Sequence, residues 1–188
     1  MIRTYLNSFN LFSEEEIEAA AQLFEYRKLN KNDCLVVEGE PCKLIAFICS
    51  GIFRLFYLSE TGVDHTFCFR FPNSLMAPYS AFLTGQPSVE TVQAITDAEL
   101  LVIHKKQLEE LVMDNSNWTK FLKLNAEHEY LELEKRFFQL QRDSAKQRYL
   151  SLLENQPEYI QQIPLQYLAS YLGVTQRHLS RIRKEISF

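Results

Sequence analysis

The spacing of apolar residues predicts a short helix near the start of the chain. Ile17, Ala20 and Phe24 recur at intervals that place them on one face of a helix. Ser13 stands just before this run, with Glu16 three positions later. A serine and a glutamate at this spacing form a capping box, which begins a helix.

From Leu29 to about Ile103 the pattern changes to short runs rich in β-branched and aromatic residues. The runs are CLVVE, LIAFICS, IFRLFYLS, HTFCFRF, ETVQAI and ELLVI. Turn residues separate them at Glu38-Gly39-Glu40, Ser50-Gly51, Glu60-Thr61-Gly62 and Pro72-Asn73. Many short strands at nearly regular spacing predict an antiparallel sandwich or barrel.

A helical pattern follows, first in KKQLEELVMD and then in a long segment from Asn115 to about Arg142 that contains no Pro or Gly. At 1.5 Å per residue the long helix would extend about 40 Å, more than a domain of this size can cover. Its apolar residues occupy more than one stripe. We expect part of this surface to meet a second copy of the chain, through Trp118, Phe121, Leu131 and Phe138. The alternative is a helix folded back over the strands.

The last part of the chain, after a break expected near residues 141–143, has the pattern of a helix-turn-helix. Its apolar and small positions are Leu168, Ala169, Leu172, Gly173, Val174, Leu179 and Ile182. Ala169 allows two helices to cross closely, and Gly173 suits a turn that needs a left-handed backbone. Thr175 is placed to cap the next helix with its hydroxyl.

On that final helix Leu179, Ile182 and Ile186 share one face, which we expect to be buried. The residues predicted to contact DNA from the opposite face and its cap are Thr175, Gln176, Arg177, Ser180, Arg181 and Lys184. Arginine can bridge guanine O6 and N7, glutamine can pair with adenine, and the hydroxyls and lysine can hold phosphates. The pattern therefore predicts a helix that reads the major groove.

Charge supports this interpretation. The whole 188-residue chain has a net charge of −4, whereas residues 143–188 contain six Lys or Arg and four Asp or Glu. An acidic body with a basic end directs a polyanion to that end. A basic end that docks an acidic protein is the alternative that the charge leaves open.

Composition excludes other classes. A hydrophobic content of 46% is that of a globular protein with a core rather than of a disordered chain. No run approaches the roughly 18 apolar residues of a membrane span, and the first residues do not form a secretory signal. We expect a cytoplasmic protein that does not enter a membrane.

These features together resemble the Crp/Fnr family of bacterial transcription regulators. The residues that carry the resemblance are the glycines of VVEGEPCKLIAFICSGIFRLFYLSETGVDHTF (Gly39, Gly51 and Gly62), the long helix, and IPLQYLASYLGVTQRHLSRIRKE. The resemblance implies an α+β chain with a β-roll sensor of cyclic-nucleotide-binding type, a long dimerisation helix and a C-terminal helix-turn-helix. We expect these over residues 1–113, 114–142 and 143–188, with a hinge at 141–144. The expected partners are double-stranded DNA with two half-sites, a second copy of the chain and RNA polymerase.

The chain departs from the family pattern at the ligand site. Ala77 and Pro78 stand where the family has Gly-Glu, and Ser88 stands where it has the arginine that holds the cyclic phosphate. Burying a phosphate without that arginine leaves an uncompensated charge. We therefore expect neither cyclic AMP nor cyclic GMP to bind. An apolar effector pocket would be lined by Met76, Ala77, Tyr79, Phe82, Ser88 and Val89; a plain packed core is the alternative.

A second departure lies at the end of the sequence, because Phe188 leaves no residues for most or all of the family's β-hairpin wing. Fewer phosphate contacts per subunit would make a dimer on two half-sites more important for affinity.

The sequence shows no pattern typical of a cofactor site or of an enzyme. The cysteines Cys34, Cys42, Cys49 and Cys68 form no close C-x-x-C pair, so we expect no zinc or iron-sulfur site and no metal. A redox role of one exposed cysteine stays open. The predicted roll holds only His65 and His104, too few for the metal site of a cupin-like enzyme, and no catalytic motif is present. We expect no cofactor and no catalytic residue.

Overall fold

The computed structural model describes residues 1–186, which form two compact units. The first unit comprises Met1–Tyr57 and Cys68–Asn125. The second begins with the short segment Leu58–Phe67 and continues from Ala126. The division therefore falls inside the long helix and also assigns one hairpin tip to the second unit.

The elements up to the long helix follow the order expected from the sequence. They are α1 (Ile2–Asn7), α2 (Glu14–Ala21), β1 (Glu25–Leu29), β2 (Cys34–Val36), β3 (Leu44–Ser50), β4 (Phe53–Leu58), β5 (Asp64–Arg70), β6 (Leu75–Met76), α3 (Tyr79–Thr84), β7 (Thr91–Ala94), β8 (Ala98–His104), α4 (Lys105–Asp114) and α5 (Ser116–Arg142). The sequence did not predict α1, α3, β1 or β6. Strand β1 reads EYRKL and is largely exposed, so it lacks the apolar alternation that marks a strand.

The predicted capping box begins α2. The Ser13 hydroxyl accepts a hydrogen bond from the Glu16 amide at 3.2 Å, and the Glu16 carboxylate accepts one from the Ser13 amide at 2.7 Å. Ile17 and Ala20, on the apolar face of this helix, are buried.

The strands form two four-stranded sheets, ordered β1-β8-β3-β6 and β2-β7-β4-β5. β3 pairs antiparallel with β8 and β6, and β7 pairs antiparallel with β2 and β4. The inward side chains of both sheets make the core, with Phe47, Phe53, Leu55, Val92 and Leu100 almost completely buried. The predicted antiparallel β-roll is confirmed.

The turn between β3 and β4 requires glycine. Gly51 has a φ of +88°, and a Cβ placed there would lie 2.5 Å from the Cβ of Ala98. A side chain at this position would strain the backbone and collide with the neighbouring segment.

The helices after α5 are α6 (Ala145–Asn155), α7 (Pro157–Gln162), α8 (Leu165–Tyr171) and α9 (Gln176–Ile186). α5 ends at Arg142, and the break was predicted. Ser144 caps α6, because its hydroxyl accepts from the Gln147 amide at 3.2 Å while the Gln147 side chain accepts from the Ser144 amide at 2.8 Å. The buried residues of these helices are Tyr149, Leu152, Tyr159, Leu168, Ala169, Leu179 and Ile182.

Candidate nucleic-acid interface

The turn between α8 and α9 has the geometry that its sequence predicts. Gly173 adopts the left-handed conformation with a φ of +66°. The Val174 amide donates to the Ala169 carbonyl at 3.0 Å, which closes the end of α8. The Thr175 hydroxyl accepts from the His178 amide at 3.2 Å, so Thr175 caps the first turn of α9.

α9 divides into a buried and an exposed face. Leu179 and Ile182 are buried, and Ile186 is half-buried. Of the residues predicted to contact DNA, Thr175, Gln176, Arg177, Arg181 and Lys184 are exposed and Ser180 is half-buried. Within residues 1–186, neither the Arg177 nor the Arg181 guanidinium forms an intramolecular hydrogen bond or ion pair. Both groups therefore remain available for an external anion.

The single acid of α9 is balanced from a neighbouring helix. Lys146 of α6 places its Nζ 3.4 Å from Oε2 of Glu185. Both side chains are at least half exposed, so the pair contributes little to stability. Its effect is to offset the negative charge at the end of a basic helix.

Two arginines that the sequence analysis did not single out hold the turn in place. Arg136 of α5 donates to the Tyr171 carbonyl, and its guanidinium lies 3.5 Å from the centroid of the Tyr171 ring. Arg148 of α6 donates through Nε and Nη2 to the Leu172 carbonyl at 3.2 and 2.9 Å. Positive charge at these carbonyls stabilises the C-terminal end of α8. In the sequence both residues look like ordinary surface charges of a helix, so no pattern marked them.

The residues proposed for a dimer interface separate into two groups. Leu131 and Phe138 are 59% and 41% exposed, as are other apolar residues of this part of α5: Tyr130, Leu133, Phe137 and Leu140. Trp118 and Phe121 are each only 3% exposed. Their assignment to the interface needs correction, because their rings already pack inside the first unit.

The segment that corresponds to the family's ligand site is packed against the chain itself. Met76 and Phe82 are buried, while Ala77 and Tyr79 are half-buried. The buried Ser88 hydroxyl is occupied locally, since it donates to the Glu90 carbonyl at 2.6 Å and accepts from the Glu90 amide at 3.2 Å.

Val89 needs the second correction among the proposed site residues. It is 69% exposed, so its side chain does not line an enclosed pocket.

The neighbouring half-buried Glu90 is a group that the sequence pattern did not single out. Burial raises the pKa of Glu90 from 4.5 to about 7, although the positive charge of Arg70 acts to lower it.

The thiols offer no activated cysteine at three of the four positions. Burial of the sulfur raises the pKa of Cys34, Cys42 and Cys49. A raised pKa leaves less thiolate at neutral pH, and the thiolate is the reactive form.

Across residues 1–186, no three His, Cys, Asp or Glu side chains come together as a possible metal site. None of the helices described combines the length and apolar character needed to cross a bilayer.

The sequence comparison finds one family match, over the strands β1 to β8 and helix α4. Residues 26–115 match the family of cyclic nucleotide-binding domains. None of the curated proteins matches the sequence significantly.

Solved structures show the same fold over most of the chain. FixK2 from Bradyrhizobium japonicum superimposes with a TM-score of 0.77 at 18% identity, covering 87% of this chain and 84% of its own. The c-di-GMP-responsive global regulator CLP from Xanthomonas campestris gives 0.76 at 15% identity, covering 93% and 92%. A putative Crp/Fnr-family regulator from Eubacterium rectale gives 0.76 at 15% identity, covering 98% and 88%. Residues 26–115 thus match the cyclic nucleotide-binding family, and the chain has the same fold as these solved regulators, as the sequence resemblance predicted.

Proposed function

We propose that this protein is a dimeric, sequence-specific DNA-binding regulator of transcription that reads the major groove with α9. One observation carries the proposal. α9 buries Leu179 and Ile182, and its opposite face presents Arg177 and Arg181 without intramolecular partners among the described residues. Exposed guanidinium groups on a helix fixed by a short turn suit the edges of guanine bases.

A second copy of the chain would bind to the exposed apolar surface of α5. The second copy would contact Leu131 and Phe138, which lie seven residues apart on one face of α5; Leu133, Phe137 and Leu140 are also exposed, on the opposite face. Exposed apolar patches of this kind mark sites of protein association. Two recognition helices on one duplex convert the second contact into an intramolecular event, which raises affinity without new contacts per subunit.

The β-roll would respond to an effector other than cyclic AMP or cyclic GMP. Ser88 stands in place of the family's arginine and its hydroxyl is already bonded to Glu90. A cyclic phosphate there would be buried without a cation at that position. Calorimetry with either nucleotide should show no binding at micromolar concentrations, and micromolar affinity would refute this part of the proposal.

The direct test selects bound fragments from random duplex DNA. Wild-type protein should enrich a two-part site, and Arg177→Ala and Arg181→Ala should each relax one base position and lose about 1 to 3 kcal/mol of binding free energy. Arg3→Ala is the matched control, because it removes one guanidinium from an exposed pair in the first unit. Each of the three substitutions removes one positive charge, so they change the net charge equally.

The salt dependence of a gel shift separates DNA from an acidic protein as the partner. Binding to random duplex should fall steeply with salt, because each neutralised phosphate releases counterions. Absence of binding even at low salt would favour the acidic protein partner. RNA polymerase would be a further partner, contacted by the DNA-bound dimer.

A further inference from the structure

The edge of one sheet carries a side-chain contact that neither the fold nor the DNA-reading face requires. β5 is the last strand in the order β2-β7-β4-β5, so within residues 1–186 one side of its backbone has no neighbouring strand. The Thr66 amide donates to the Ser170 hydroxyl at 2.7 Å, and that hydroxyl donates to the Asp64 carbonyl at 2.9 Å. The Asp64 carboxylate lies 3.3 Å from the same hydroxyl. Ser170 belongs to α8, the first helix of the helix-turn-helix.

The Ser170 hydroxyl makes the backbone hydrogen bonds that a neighbouring strand would otherwise make. Residues two apart on a strand direct their N–H and C=O groups to the same side. A serine hydroxyl supplies one donor and accepts at its lone pairs, so Ser170 can satisfy Thr66 and Asp64 at once. Thr66 is buried, and a buried amide left without an acceptor would be costly. α8 therefore closes part of an open sheet edge with one hydroxyl.

The contact lies within the second unit. Leu58–Phe67, the tip of the β4–β5 hairpin, groups with the helices that follow Ala126 rather than with the first unit. The next residue along α8, Tyr171, receives the hydrogen bond from Arg136 of α5. Two adjacent residues thus connect α8 to two segments of the second unit: Ser170 to the tip of the β4–β5 hairpin, and Tyr171 to the proposed dimerisation helix.

We propose that Ser170 is a positioning residue for DNA recognition. Docking of its hydroxyl on β5 fixes the orientation of α8, and with it the distance at which two copies of α9 meet a duplex. The inference rests on the proposed function, since it concerns how a dimer places its reading helices.

The test combines Ser170→Ala with two reference variants. Ser170→Thr keeps the hydroxyl and should preserve the wild-type behaviour. Asp64→Ala removes the 3.3 Å carboxylate contact but keeps the backbone carbonyl, so its effect should be smaller than that of Ser170→Ala. Hydrogen exchange of the Thr66 amide reports the contact itself, and selection from duplexes with varied half-site spacing reports its consequence for the dimer.

Ser170→Ala should speed exchange of the Thr66 amide roughly 2- to 10-fold, the effect of losing one neutral hydrogen bond. It should also broaden the accepted spacing by at least one base pair, while the bases preferred within each half-site stay unchanged. A merely structural role would lower affinity for all spacings alike.

Three results would overturn the proposal at different points. Unchanged exchange at Thr66 would show that the contact is absent in solution. Faster exchange with an unchanged spacing profile would leave the contact without a positioning role. A wild-type protein that binds no duplex would overturn the proposed function as well, and the exchange measurement would still report whether Ser170 docks on β5.

Discussion

The two halves of α5 contain the same kinds of residues and expose them differently. In the first half Trp118 packs on Phe12 at 4.4 Å between ring centroids, and Phe121 packs on Phe9 at 4.9 Å. In the second half Phe137 and Phe138 are 52% and 41% exposed. The helix itself does not make this difference, since both halves are equally regular. Segments from elsewhere in the chain cover the first half, whereas the apolar side chains of the second half remain exposed.

The largest effect should come from a charge in the exposed half. Phe138→Glu should convert the dimer to a monomer and weaken operator binding by about 100- to 10,000-fold, because the gain from bivalent binding is lost. Light scattering would measure the mass, and a gel shift the affinity. Thermal unfolding of the monomer should remain cooperative.

Met113→Glu is the matched control for this change. Met113 lies in α4 and is 83% exposed, so introducing glutamate there tests the general effect of adding a carboxylate at an exposed apolar position. Unchanged operator affinity in a monomeric Phe138→Glu protein would contradict the dimer model.

A smaller effect is expected from truncation in the buried half. Phe121→Ala should lower the free energy of unfolding of the first unit by about 3 to 5 kcal/mol, because it leaves a cavity among packed rings. Phe137→Ala, at an exposed position, should change the stability of the isolated subunit by less than about 1 kcal/mol. Urea titration of both variants at a concentration where the chain is monomeric would measure this. Equal losses would show that the two halves are not covered differently.

The smallest effect is a pH dependence of the free energy of unfolding, which tests whether Glu90 is buried in the first unit. Glu90 has a pKa of about 7 in the folded chain and 4.5 as its ordinary value. The folded state therefore binds more protons than the unfolded state between these values, and stability should decrease as pH rises from about 4.5 to about 7. Glu90→Gln should remove this loss and stabilise the protein above pH 7 by about 1 to 3 kcal/mol.

Unfolding at several pH values would check the pH prediction. The stability of Glu90→Gln relative to wild type should be larger at pH 8 than at pH 4.5. A difference that does not change with pH would mean that Glu90 is not desolvated by burial.

Local patterns predicted much of the fold and of the exposed basic face of α9. Ser13 with Glu16, and Thr175 before α9, cap helices because a hydroxyl meets amides only two or three residues away. A glycine at position 173 indicates a left-handed turn, because a side chain with a Cβ is disfavoured in that conformation. The intervals of Leu179 and Ile182 predicted their burial for the same local reason. Strand β1 was missed, because its exposed EYRKL sequence has no apolar alternation.

The partners of individual side chains along the chain could not be predicted in this way. Trp118 and Phe121 carry no mark that distinguishes them from Phe138, and Ser170 looks like any small residue of a helix. Their environments depend on which distant segments pack against them, with 106 positions separating Ser170 from Asp64 and 104 from Thr66.

The sequence by itself determined the capped starts of α2 and α9, which face of α9 is buried and which basic residues lie opposite. These depend on steric and hydrogen-bonding preferences within a few residues, and such preferences are the same in any fold. Only the tertiary structure decided that the first half of α5 is core, that Arg136 and Arg148 hold the turn between α8 and α9, and that Ser170 closes an open strand. Those contacts join residues far apart in the chain, so they exist only once the packing has brought them together.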